Sequence, residues 1–172
     1  MDVQEIASLP IFESFTPQQI QLIQPFMEFC SFPADMVIFQ QGDRADNFYI
    51  LTSGEITLHF KPYDGPALVI TRLTFGDVFG WSAALGRDTY SAAAIANCAV
   101  TAIRLQAGNL QKLCTIDKEI TALFLNCLVG EISGKLLDSH EEILTLFSNG
   151  LNLNHDCKRR MNLNGSETRI YP

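Results

Sequence analysis

The feature that most limits the fold of this chain is the rhythm between Phe32 and Leu105, where short β-type runs alternate with glycine turns. Val37 to Gln40 is followed by Gln41-Gly42-Asp43, and Phe48 to Thr52 by Ser53-Gly54-Glu55. Ile56-Thr57-Leu58-His59-Phe60 alternates cleanly, which gives a strand one buried face. Tyr63-Asp64-Gly65-Pro66 then supplies a hairpin turn before Leu68 to Leu73. Two more strands are expected at Ser91 to Ala96 and Val100 to Leu105. Roughly eight strands at this spacing point to a small barrel or jelly roll, architectures that deal with exposed edges by closing.

Helical patterns flank this block. Thr16-Pro17-Gln18-Gln19 reads as an N-cap, a proline at the first helical position and the glutamine of a capping box. The spacing of Ile20, Ile23, Phe26 and Met27 predicts a helix from Pro17 to about Phe29. Beyond Gly108 the pattern turns helical again, with Asp117 as a plausible N-cap and no proline from Lys118 to Phe147. Leu125, Val129, Ile132, Leu136, Ile143 and Phe147 form one stripe, while Ile120, Leu123, Phe124, Cys127 and Leu128 make the first turns apolar on several sides. Two surfaces are needed to cover such a helix: the barrel and a second copy of the chain, which implies a homodimer. An intramolecular core helix is the alternative. Residues 148–172 are rich in asparagine and carry Lys158-Arg159-Arg160; they read as a polar tail or a short hairpin. The expected organisation is therefore 1–116, 117–147 and 148–172.

Composition narrows the function. The chain has 172 residues, 47% of them hydrophobic and 18% charged, as in ordinary globular domains. A net charge of −7 argues against holding nucleic acid by phosphate neutralisation. Five scattered cysteines without a C-x-x-C pair read as reduced thiols in a cytoplasmic protein. The histidines show no metal-ligand spacing, no P-loop or nucleophile elbow is present, and catalysis is not expected. Asp2 and Glu5 stand where a leader would be basic, and no apolar run reaches the ~18 residues of a membrane span.

The stretch from Phe75 to Ser91 reads as strand, tight turn, one turn of helix and a second strand. A helix start of this kind exposes N–H groups to a phosphate or carboxylate.

Phe32 to Glu55, with its Gly42-Asp43 and Ser53-Gly54-Glu55 spacing, closely resembles the first barrel strands of cyclic-nucleotide-binding domains. These are the regulatory domains of catabolite-activator-type transcription factors and of cyclic-AMP-dependent protein kinase. The resemblance covers about residues 9 to 147. It implies a mainly β jelly roll (double-stranded β-helix) with flanking helices and a long C-terminal helix, a small-molecule effector, and Phe75 to Ser91 as a phosphate-binding cassette. In the family, helix N–H groups and an arginine hold the cyclic phosphate, and a glutamate accepts the ribose hydroxyl. Gly80 and the backbone of Ser82 and Ala83 keep the first element, and Ser91 keeps a hydroxyl. Trp81 falls at the glutamate position and Tyr90 at the arginine position, with Arg87 three residues before it as a substitute cation. The base-contacting pair falls on Lys135 and Leu136.

The expected ligand set is thus Gly80, Trp81, Ser82, Ala83, Arg87, Tyr90, Ser91 and Lys135. Trp81 and Tyr90 either fill the pocket or offer flat faces to a planar ligand. The expected function is a ligand-sensing regulatory module that transmits occupancy through the long helix, with a cyclic nucleotide as the family's ligand. The alternatives are a degenerate module kept for dimerisation or scaffolding, and a haem sensor using His59 or a cysteine. The family's DNA-reading helix-turn-helix is longer than residues 148–172 allow, so the chain either works without nucleic acid or is part of a longer one.

Overall fold

Capping boxes set the entry of the chain. In the computed structural model, which describes residues 2–131 and 133–134, Asp2 opens helix α1 (Val3–Ala7) by accepting from the Glu5 N–H, and the Glu5 side chain returns the bond. Thr16 and Gln19 do the same for α2 (Pro17–Ile23), with Pro17 in the first turn as the sequence suggests. Helix α2 ends at Ile23, short of the Phe29 expected from the apolar spacing. Gln24 keeps helical dihedrals, but Pro25 has no N–H to continue the ladder. One 3₁₀ turn (Gln24–Phe26) follows, and then strand β1 (Met27–Phe32).

The glycine-punctuated block folds into seven more strands, β2 (Val37–Phe39), β3 (Asn47–Ser53), β4 (Ile56–Phe60), β5 (Leu68–Leu73), β6 (Val78–Phe79), β7 (Ala93–Ala96) and β8 (Val100–Gln106). They form two antiparallel sheets ordered β1-β8-β3-β6 and β2-β7-β4-β5. Apart from the β4–β5 hairpin, successive strands change sheets in the manner of a jelly roll, which is the expected fold class. A short helix, α3 (Trp81–Ala84), lies between β6 and β7, and α4 (Ala107–Ile116) follows β8.

Strand β3 is buried on both faces. Tyr49 turns inward and stacks near Phe79 and Phe39, at ring-centroid distances of 4.9 and 6.1 Å. Phe48, on the other face, meets Phe124 at 6.2 Å. Phe124 belongs to helix α5 (118–131), whose start is capped by Asp117: its carboxylate accepts from the N–H groups of Glu119 and Ile120 at 2.9 and 3.0 Å. The ring also stacks on Phe12 at 5.9 Å, so α5 and the N-terminal segment share one core against the first sheet. Ile120, Thr121, Phe124 and Leu128 form the buried side of α5, while Leu125 and Val129 remain 37% and 56% exposed. The expected continuation of this helix to Phe147, and the tail 148–172, lie outside the described residues.

Candidate ligand-binding site

The cassette stretch is built from its turns. In the turn that precedes β6, the Asp77 carboxylate accepts from the Thr74 N–H at 2.8 Å, and the Gly76 N–H reaches Leu51 O at 2.8 Å. Gly80 then takes φ +76°, and a Cβ there would lie 3.0 Å from Asn47 O and 3.3 Å from Phe48 Cα. Only glycine lets the chain lie this close to β3 while turning left-handed, and this placement aims α3.

The expected site residues Gly80, Trp81, Ser82, Ala83, Tyr90 and Ser91 are brought together here. Trp81 is half-buried, packed against the core, and its indole N–H donates to Val78 O. Ser82 and Ala83 are buried. The Ser91 N–H donates to Ser82 Oγ at 3.2 Å, and the two hydroxyls stand 3.4 Å apart, so these two serines are turned on each other.

Tyr90 is only 5% exposed. Its ring stacks on Phe39 at 3.8 Å and 15°, its hydroxyl donates to Asn47 O at 2.6 Å, and the hydroxyl oxygen in turn accepts from the Asn47 N–H at 3.3 Å. Its backbone is equally occupied, with the N–H on Asp43 O and the carbonyl accepting from Gly42 N–H, both at 2.9 Å. Burial pushes the Tyr90 hydroxyl up, with the bond to Asn47 opposing it. Burial likewise pushes Tyr49 up to about 12, with Tyr90 adding to the effect. Both phenols therefore stay neutral across the physiological range.

Cations are held elsewhere. Arg87 is exposed; its backbone N–H donates to Ser82 O at 2.8 Å while its side chain stands in solvent. Arg44, whose backbone bridges to Thr89, bonds Asp46 at 2.8 Å. Arg104 makes a two-pronged contact with Glu28 at 3.2 and 2.5 Å, and the guanidinium lowers the Glu28 carboxyl below its usual value. Among the described residues the arrangement does not reproduce an arginine–glutamate clamp for a cyclic phosphate. Lys135 and Leu136 lie outside the described residues. His59 pairs with Ala93 and Val69 on the outer side of its sheet, away from the barrel interior.

The sequence reading missed Phe39 and Asn47, the two partners that lock Tyr90. Phe39 carries no usable signal. Val37 and Phe39 are two apart and should share a face, but a bulge between them pairs Val37 with Ile95 and Phe39 with Ala94.

This chain belongs to the cyclic nucleotide-binding domain family, whose model matches residues 29–117. It is 29% identical over 108 residues to the cAMP-dependent protein kinase regulatory subunit of Aspergillus fumigatus, covering 63% of this chain and 25% of that one. It is 28% identical over 87 residues to the cyclic AMP receptor protein of Thermus thermophilus, covering 51% of this chain and 40% of the relative. The chain thus spans well under half the length of these curated relatives. A solved cyclic nucleotide-binding domain from Methylobacillus flagellatus superposes with a TM-score of 0.75 over 83% of this chain and 80% of that one, at 17% identity, and so shares the fold. Among the described residues no helix is long and apolar enough to cross a membrane, and no cluster of metal-ligating side chains occurs.

Proposed function

We propose that this chain is a regulatory module of the cyclic nucleotide-binding fold in which the cassette is closed by its own side chains and does not take cyclic AMP or cyclic GMP in the family's way. The observation that carries this reading is Tyr90: buried at the arginine position, stacked on Phe39, and bonded through its hydroxyl to Asn47. A buried phosphate without a charged partner loses several kcal/mol of binding, on the order of a few unsatisfied hydrogen bonds. Output runs through α5, whose outward Leu125 and Val129 suit a second copy of the chain, and the organisation is 1–116, 117–147 and 148–172. The chain acts as a partner-binding module rather than an enzyme, in the cytoplasm, and without contacting nucleic acid by itself.

The test is titration calorimetry with cyclic AMP, cyclic GMP and cyclic di-GMP. No saturable heat is expected from the wild-type chain; a dissociation constant below roughly 100 μM for any of them overturns the reading. Trp81→Glu combined with Tyr90→Arg restores the family's residues and is expected to gain cyclic AMP binding. A double variant that keeps its circular dichroism spectrum yet binds nothing also counts against the proposal.

A second reading rests on Trp81, which is only half-buried, and on Leu85 one turn later, which is 55% exposed. Together they offer an apolar rim to a neutral planar ligand. Quenching of the single tryptophan by adenosine, with no response to cyclic AMP, would favour it.

A further inference from the structure

The inner face of the β2-β7-β4-β5 sheet belongs to the barrel, but its outer face carries a separate concave site. Bulges in β2 and in the β4–β5 pair, read with the register, turn Val37, His59, Ala93 and Ile95 outward while Phe39, Leu58 and Ala94 face the barrel. The β2–β3 turn (40–42) and the β4–β5 loop (61–67) rise over the outer face as two walls. They are tied to each other: Gln41 Oε1 accepts from the Lys61 N–H at 2.8 Å, and Gln41 Nε2 donates to Lys61 O at 3.2 Å. The groove they enclose measures about 610 Å³, within the roughly 300–1,000 Å³ of small-molecule sites.

Its floor is aliphatic and small, from Val37, Ala93 and Ile95. At its border stand His59 and Lys61, and Lys61 makes no ion pair with a described carboxylate, although the whole chain carries a net charge of −7. A neutral hydrocarbon would leave that ammonium unmet. A cation would be repelled by it, and a polyanion would meet one cation in a negative field. One negative charge on an apolar body matches all of these features.

We propose that this groove is a second ligand site, taking a small amphipathic carboxylate whose apolar body lies on Val37, Ala93 and Ile95 and whose carboxylate meets Lys61. The groove opens on the opposite side of the sheet from the cassette, since adjacent residues Ala93 and Ala94 face the two sides; its 40–42 wall touches the cassette through one backbone bond, from the Gly42 N–H to Tyr90 O.

The test titrates decanoate into the methyl-labelled chain and follows the methyl resonances of Val37, Ala93 and Ile95 against those of Ile56 and Leu58 on the inner face. Saturable shifts confined to the outer methyls are expected. Lys61→Gln should weaken binding roughly tenfold, about 1.4 kcal/mol. Decylamine, with the same body and the opposite charge, should bind at least roughly tenfold more weakly than decanoate. Ala93→Leu, which fills the floor, should abolish the shifts; should that variant unfold, the Lys61 and decylamine arms decide. The proposal is overturned by the absence of saturable shifts, by a response of the inner methyls, or by equal binding of decylamine and decanoate.

Discussion

The barrel interior and the outer groove differ in what they do with their polar groups. On the barrel side, the Tyr90 hydroxyl ends on Asn47, the Ser91 N–H on Ser82 Oγ and the Trp81 indole on Val78 O. Outside, Lys61 meets no described carboxylate, and an open volume of about 610 Å³ lies beside it. A polar group already bonded must give up that bond to hold a ligand, so the net gain is small; one left in solvent exchanges only water. The proposed reading of the cassette as structure, and of the outer face as the place for a charged ligand, rests on this difference.

Three perturbations bear on that contrast, beginning with the largest. If Tyr90 is structural, Tyr90→Ala removes a buried, stacked ring and should lower the unfolding free energy by about 3 kcal/mol in a urea titration. A loss under about 1 kcal/mol would instead describe a ring that lines an open ligand pocket. Gly80→Ala should cost about 1–2 kcal/mol, because an L-residue is strained at φ +76° and the new methyl lies 3.0 Å from Asn47 O. It should leave decanoate binding on the outer face unchanged, and altered binding there would mean the two faces are coupled. The smallest effect belongs to Glu28→Gln. The Arg104 bond lowers the Glu28 carboxyl below the ordinary 4.5 in the folded chain, so its contribution is present above that pH and is lost as pH falls through the lowered value. The stability difference between Glu28→Gln and wild type should therefore shrink on acidification, and modestly, since the pair is solvent-exposed. A difference that stays constant with pH would show that the carboxylate contributes nothing to stability.

Much of the fold was legible in residue order. The glycine turns located β3, β4 and β5, the alternation of Ile56 to Phe60 marked a half-buried strand, and the capping residues Thr16 and Asp117 marked two helix starts. Strand β1 was not legible from spacing, because Ile20, Ile23, Phe26 and Met27 fit one helical face. The proline at position 25 was the overlooked signal. Of the expected site residues, Ser82 and Ser91 meet each other, and Gly80 and Tyr90 both lie against Asn47. Arg87 does not join them, because the loop after α3 leaves its side chain in solvent.

What the sequence by itself determined is the strand rhythm, the caps, the cassette turn and the presence of Trp81 and Tyr90 where the resemblance expects a glutamate and an arginine. Those are local properties, set by backbone preference and by residue identity along the chain. How Tyr90 packs was decided only in three dimensions. The answer depended on Phe39 and Asn47, brought to Tyr90 by a bulge and by strand pairing, and no periodicity in the chain encodes that contact.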